Sequence, residues 1–237
     1  MCRGGDARLR PVKRIALALV TLVVAVAGCS GNGGREPSSP PELVPANALD
    51  RALLDADEVD TIMGTTGMTA HPRVDVMGDH RNLLPNLNCL GIWQVNELGV
   101  YGADGWIALR QELLRSPNTD AWQTLVVQSV VNYPSTDAAR DFFSQSSDRW
   151  SQCTNHNVNI TLNGQPLPKW RSGDLTKTDN TLAIPFTRGN ANGVDWCQRV
   201  LALENNVIVD VQACKRDGST VTQAVGVVDE IESKLPR

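Results

Sequence analysis

Between residues 196 and 214 the sequence carries a pattern with one geometric reading. Two largely apolar runs, Trp196–Glu204 and Val207–Cys214, flank Asn205-Asn206. Asparagine tolerates positive φ, so this pair suits a two-residue type I′ turn between antiparallel strands. With Glu204 opposite Val207, the register places Cys197 directly opposite Cys214. Hydrogen-bonded and non-hydrogen-bonded pairs alternate along such a ladder. Seven steps out from the hydrogen-bonded pair at the turn, the two cysteines occupy a non-hydrogen-bonded pair. There Cα atoms lie about 4.5 Å apart, inside the span of roughly 4.4–6.8 Å that a disulfide bridges. A long hairpin stapled near its open end is therefore expected.

Four further cysteines are present: Cys2, Cys29, Cys89 and Cys153. The first two belong to an amino-terminal leader. Arg8 to Arg14 is basic, and Ile15 to Ala27 is an uncharged stretch of 13 residues. As a helix that stretch reaches only about 20 Å, short of the roughly 30 Å hydrocarbon core, so it reads as a signal-peptide h-region. Val26-Ala27-Gly28-Cys29 then resembles a bacterial lipobox. The resemblance implies a signal peptide over 1–28, a diacylglyceryl thioether on Cys29, an acylated (palmitate-type) new amino terminus, and a protein held on the extracytoplasmic side of a cell membrane. Residues 29–45 follow as a Gly/Ser/Pro-rich tether, with 46–237 as one domain.

Export to an oxidising compartment favours disulfides over free thiols. With Cys197 assigned to Cys214, Cys89 pairs with Cys153 by elimination. Cys153-Thr-Asn-His156 has metal-ligand spacing, but no second close pair accompanies it, so no metal is expected.

Charge narrows the function classes. Residues 1–28 hold five of the 22 basic residues and one of the 26 acids. The remainder keeps 17 basic and 25 acidic residues, a net charge of −8. Such a body lacks the clustered Lys and Arg that phosphate neutralisation along a nucleic acid needs. No Gly-x-Ser-x-Gly, His-Glu-x-x-His or Ser-x-x-Lys spacing occurs, so neither a catalytic residue nor a cofactor is assigned and the domain reads as non-enzymatic.

The periodicity from 46 onward predicts an α+β domain, an antiparallel sheet packed with helices. Leu49 to Met63 reads as a helix with an Asp55/Glu58 capping box and a stop at Gly64. Residues 64–88 read as irregular with one short strand. Strands are expected at Gly91–Asn96, Gly105–Leu114, Trp122–Tyr133, Asn157–Leu162, Trp170–Leu175 and Thr181–Arg188. Helices are expected from Ser135 or Thr136 to Gln152, and from Ser219 to Leu235. Most of the six tryptophans belong in a core, with Trp106 or Trp170 the candidates to line a pocket.

These features also occur together in a known family. Leu53-Leu54 before Asp55, Met63-Gly64, Cys89, Tyr101, Gly105-Trp106, Val126-Val127-Gln128-Ser129-Val130-Val131, Trp150-Ser-Gln-Cys153, Asp195-Trp196-Cys197 and Asn206 through Cys214 resemble the PknH-type extracellular sensor domain of mycobacterial Ser/Thr kinases. The resemblance spans nearly the whole domain. It implies the same fold with the two disulfides above and a central cleft for an unidentified ligand, but brings no established binding residue. The expected function is that of an anchored sensor-type lipoprotein binding a small ligand or cell-envelope fragment in a cleft between segment 64–88 and the sheet. The alternatives are a protein-interaction module docking on a receptor kinase or other envelope component, and a hydrolase with a non-standard site.

Overall fold

The computed structural model describes residues 42–82, 87–158, 161–162, 165–190 and 193–236. The signal segment 1–28, Cys29 and the tether as far as residue 41 lie outside the described residues.

The reading of one helix over Leu49–Met63 is corrected to two, α1 (Leu49–Ala52) and α2 (Ala56–Met63). Asp55 explains the break. Its Oδ1 accepts the Glu58 N–H at 2.9 Å, and the Glu58 carboxylate accepts the Asp55 N–H at 2.8 Å. An N-cap residue must leave helical backbone angles, so the acid that starts α2 interrupts the helix before it. Gly64, at φ 63°, closes α2 in the left-handed region.

After β1 (Thr69–Ala70), two one-turn helices follow, α3 (Leu90–Trp93) and α4 (Leu98–Tyr101). The first corrects the strand expected at Gly91–Asn96. A short apolar run does not distinguish a buried strand from a buried helix. Here all four residues are buried, and a disulfide ties Cys89, at the head of α3, to Cys153.

The remaining elements are β2 (Ala108–Ser116), β3 (Thr124–Asn132), α5 (Thr136–Ser151), β4 (Asn157–Val158), β5 (Thr161–Leu162), β6 (Gln165–Pro166), β7 (Trp170–Ser172), β8 (Thr176–Lys177), β9 (Thr181–Asn190), β10 (Gly193–Glu204), β11 (Val207–Lys215) and α6 (Gln223–Lys234). Ser135 caps α5 by accepting the Ala138 N–H at 3.1 Å. The main sheet runs β1-β2-β3-β11-β10-β9-β7-β4, with β8 beside β9, and all of its pairings are antiparallel.

The β10–β11 hairpin has the register derived from the Asn-Asn turn. Glu204 faces Val207 and Cys197 faces Cys214, bridged at a Cα separation of 4.1 Å. The turn itself departs from type I′, which needs positive φ at both central residues. Asn205 has φ 55°, whereas Asn206 is not among the positive-φ residues. Asn206 is instead pinned from outside the hairpin. Its Nδ2 donates to the Tyr133 carbonyl at 2.8 Å and its Oδ1 accepts the Val44 N–H at 2.8 Å. A two-residue loop fixes the register in either geometry.

Side chains alternate across the sheet and feed two cores. Val200, Ala202, Val209 and Val211 face α1, α2 and α6, packing with Leu49, Val59, Val227 and Ile231. Leu201, Leu203 and Ile208 face α5, packing with Phe142, Phe143 and Trp150. On this second face a buried ion pair crosses the hairpin. Arg199 Nη1 donates to Asp210 Oδ1 and to the Val211 carbonyl, and Nη2 donates to the Gln94 carbonyl at 3.0 Å. The other carboxylate oxygen accepts the Tyr101 hydroxyl at 2.8 Å. Burial, then the Asp210 charge, raises the Tyr101 pKa well above that of a free phenol.

Glu232 on α6 gives the domain a pH dependence. Burial, then the charges of Glu204 and Asp229, push its pKa from 4.5 up to about 7. The folded state therefore holds a proton that the unfolded chain releases, and stability falls as pH rises from 4.5 to about 7. Half of the group is solvent-screened, so the effect is discounted to about 1 kcal/mol. Urea unfolding of Glu232→Gln at pH 5 and pH 8 is expected to show a flatter profile than the parent, with the gain at pH 8. An equal slope in both proteins rules out this assignment.

Candidate functional site

Toward the Gly193 end of β10 the helical layers no longer cover the sheet, and Val194 and Trp196 are exposed, Trp196 by 37%. A concavity of about 470 Å³ opens there. Its floor is a cross-strand row on the α6 side of the sheet, Arg171–Thr187–Trp196. Thr220 and Val221, from the β11–α6 connection, form one side, and Gly173 and Pro185 the other. The backbone comes close here because residue 173 has no side chain. A Cβ on Gly173 would lie 3.0 Å from Pro185 Cγ. Asn155 holds this rim: its N–H donates to the Gly173 carbonyl at 3.0 Å, and its Nδ2 donates to Asp174 at 2.6 Å. A mostly apolar hollow of this size with a few polar groups has the anatomy of a small-molecule site.

A smaller concavity of about 270 Å³ lies over the opposite face of the same strands. Its residues form the next row of the register, Trp170–Arg188–Asp195, with Arg216 just beyond the end of β11. Trp170 stacks on Phe186 at 4.6 Å between ring centroids and meets the edge of Trp93 at 5.7 Å.

The two concavities described above are lined by no described residue of segment 64–88, against which the cleft was expected. That segment is drawn onto the sheet edge instead. His71 N–H donates to the Leu113 carbonyl at 2.8 Å, and Val74 and Gln111 exchange N–H···O bonds at 2.9 Å. Its backbone is thus bonded to β2 as far as Val74.

Of the residues singled out in the sequence, Cys89–Cys153 anchors α3 to the end of α5, and Cys197–Cys214 lies in the strands between the two hollows. Trp170 contributes to the smaller hollow. Trp106 lies elsewhere, donating Nε1 to the Gly102 carbonyl at 3.3 Å. Cys29 is outside the described residues. Trp196, Arg188, Asp195 and Arg216 were not anticipated, although one signal was available. The register that pairs Cys197 with Cys214 also sets Asp195 opposite Arg216 two residues further out.

Among the described residues, no three His, Cys, Asp or Glu side chains gather in a way that could hold a metal ion. His71 Nε2 bonds the Asn118 side chain at 2.9 Å, and His80 Nδ1 bonds Glu97 at 2.6 Å.

Comparison with known proteins bears on the family and the fold. The family model for the PknH-like extracellular domain matches residues 44–234. The chain belongs to the PknH-like extracellular domain family. It is 28% identical over 235 residues to the serine/threonine-protein kinases PknH of Mycobacterium bovis and Mycobacterium tuberculosis. That match takes in 96% of this chain but only 37–38% of the kinases, so the chain spans less than two fifths of their length. The crystal structure of the extracellular domain of PknH from M. tuberculosis superposes with a TM-score of 0.73 at 28% identity, covering 81% of this chain and 97% of that one. The α+β fold of the family, an antiparallel sheet with helices and two disulfides, is thus the fold of this chain. No helix among the described residues is long and apolar enough to cross a membrane.

Proposed function

We propose that this chain is a lipid-anchored, extracytoplasmic sensor-type module that binds a small molecule or cell-envelope fragment and does not turn it over. Residues 1–28 serve as the export signal, Cys29 carries the lipid, 29–45 form the tether, and 46–237 the sensor domain. The observation that carries the binding reading is the open groove of about 470 Å³ around Trp196. Its floor is a sheet row beside the Cys197–Cys214 bridge, so little ordering is left for binding to impose. A second reading, a protein-interaction module docking on a receptor kinase or cell-wall component, is favoured by the exposed apolar side chains of Val76 and Ile107.

A thermal-shift screen of envelope lipids, glycans and peptides separates these readings. A ligand at a hundred times its dissociation constant adds about 2.7 kcal/mol, several degrees in Tm. The expected result is a shift in the parent that Trp196→Ala abolishes. A silent screen together with a co-purifying protein partner replaces this reading with the second. For the anchor, the mature protein is expected to start at Cys29 with an added lipid mass that Cys29→Ala lacks. Equal lipid mass in both would overturn it.

A further inference from the structure

We infer that the smaller hollow, on the face opposite the groove, is a phosphate-ester site built on Arg188 and Arg216. Asp195 lies between the two arginines with 0% exposure. Arg188 Nε and Nη2 donate to its Oδ2 at 3.0 and 2.9 Å, and Arg216 Nε donates to its Oδ1 at 2.8 Å. One guanidinium fork is enough to pair a carboxylate. The second cation is in excess, so two positive charges meet one negative charge at this hollow. Asp195 is the only acid among the described residues that line it. This surplus lies in a domain whose net charge beyond residue 28 is −8, so it is not part of a general basic surface.

Both guanidinium groups are held rigidly while parts of them remain accessible. Arg216 lies 3.7 Å over the Trp122 ring and its Nη1 donates to the carbonyls of Asp120 and Trp122, both at 3.0 Å. Arg188 lies 5.4 Å over Trp170. Their side chains are 16% and 30% exposed. Nη1 of Arg188 and Nη2 of Arg216 have no protein acceptor among the described residues. Planar forks fixed by aromatic rings, with spare N–H groups and surplus positive charge beside a hollow of about 270 Å³, suit a tetrahedral dianion. Pro168 and Leu167 supply an apolar rim for the ester group. The hollow is too small for a whole lipid, so the recognised unit is the phosphate with its first few ester atoms. The source is either a soluble ester or a lipid headgroup. This site does not depend on the Trp196 groove, which opens on the other face.

The test uses Pro40–Arg237, a compact unit in itself. Side-chain Nε–H signals of arginine are followed by NMR while inorganic phosphate or glycerol 3-phosphate is added. In a second arm, phosphatidylcholine vesicles with and without phosphatidic acid are sedimented with the protein. The expected result is saturable shifts of the Arg188 and Arg216 signals, tighter for glycerol 3-phosphate than for phosphate. Arg188→Gln should weaken binding by about tenfold or more, the worth of a charge-assisted hydrogen bond. Arg188→Lys, which keeps the charge but loses the fork, should fall between the two. Asp195→Asn, where it folds, should tighten binding, which a purely structural triad does not predict. Binding of the soluble ester alone assigns a free metabolite, and sedimentation only with phosphatidic acid assigns a headgroup. No shift with either phosphate and no selective sedimentation overturns the proposal, as does an Arg188→Gln protein that folds and binds as the parent does.

Discussion

Replacing Asp210 by alanine is expected to remove about 3–5 kcal/mol of stability, the cost of leaving a buried charge without its counter-ion. Arg199 is buried to 1% exposure, and among the described residues its other acceptors are the carbonyls of Val211 and Gln94. Without the carboxylate, the guanidinium stays in the core against Trp150, 5.9 Å from the ring centroid, and loses the anion paired with it. Tyr101 also loses the acceptor of its hydroxyl, and with it the bond that draws α4 onto the hairpin. The Asp210→Leu/Arg199→Met double variant separates charge from packing. Because a buried ion pair is often no better than well-packed apolar residues, the double variant should recover much of the loss. Urea unfolding of the three proteins measures both effects. A loss below about 1 kcal/mol for Asp210→Ala would show that the pair is not sealed from solvent in the way its burial implies.

The ion pair also shows what sequence could and could not reveal. The hairpin register was legible because a two-residue turn and a cysteine pair are local, discrete constraints. The same register places Arg199 opposite Gln212 and Asp210 opposite Leu201, on the face that meets α5. The diagonal contact between Arg199 and Asp210 depends on twist and rotamers, which residue spacing does not encode. The helices with clear caps, at Asp55 and Ser135, start where their cap residues place them. The apolar run at Gly91–Asn96 failed as a strand because tertiary burial, including the Cys89–Cys153 bridge, outweighs a short pattern. The groove was illegible for a related reason. It is formed by where β7, β9 and the β11–α6 connection end beside one another. That depends on strand order, and the run Gly189-Asn190-Ala191-Asn192-Gly193 between β9 and β10, though rich in turn residues, admits more than one turn position and so more than one register.

The second large effect concerns the bridge that sequence reached only by elimination. Cys89 and Cys153 are 64 residues apart, and the chain-entropy model gives their bridge about 4 kcal/mol, against about 3 for Cys197–Cys214 with its separation of 17. For a domain of this size the longer bridge is worth about 10 °C in Tm. The Cys89→Ala/Cys153→Ala protein should therefore melt lower than the parent, and lower than Cys197→Ala/Cys214→Ala if entropy alone decides. Its effect should also be local. Cys89 heads α3, whose Trp93 forms part of the hollow beside Arg188, so that wall loses its anchor to α5. Hydrogen exchange should rise in Leu90–Trp93 before it rises in β10 and β11, where the second bridge and both neighbouring strands still hold. Peptide mapping without reductant checks the premise by yielding Cys89–Cys153 and Cys197–Cys214 peptides and no free thiol among these four. A Cys153–Cys197 peptide would sink both the pairing and the order of melting drawn from it.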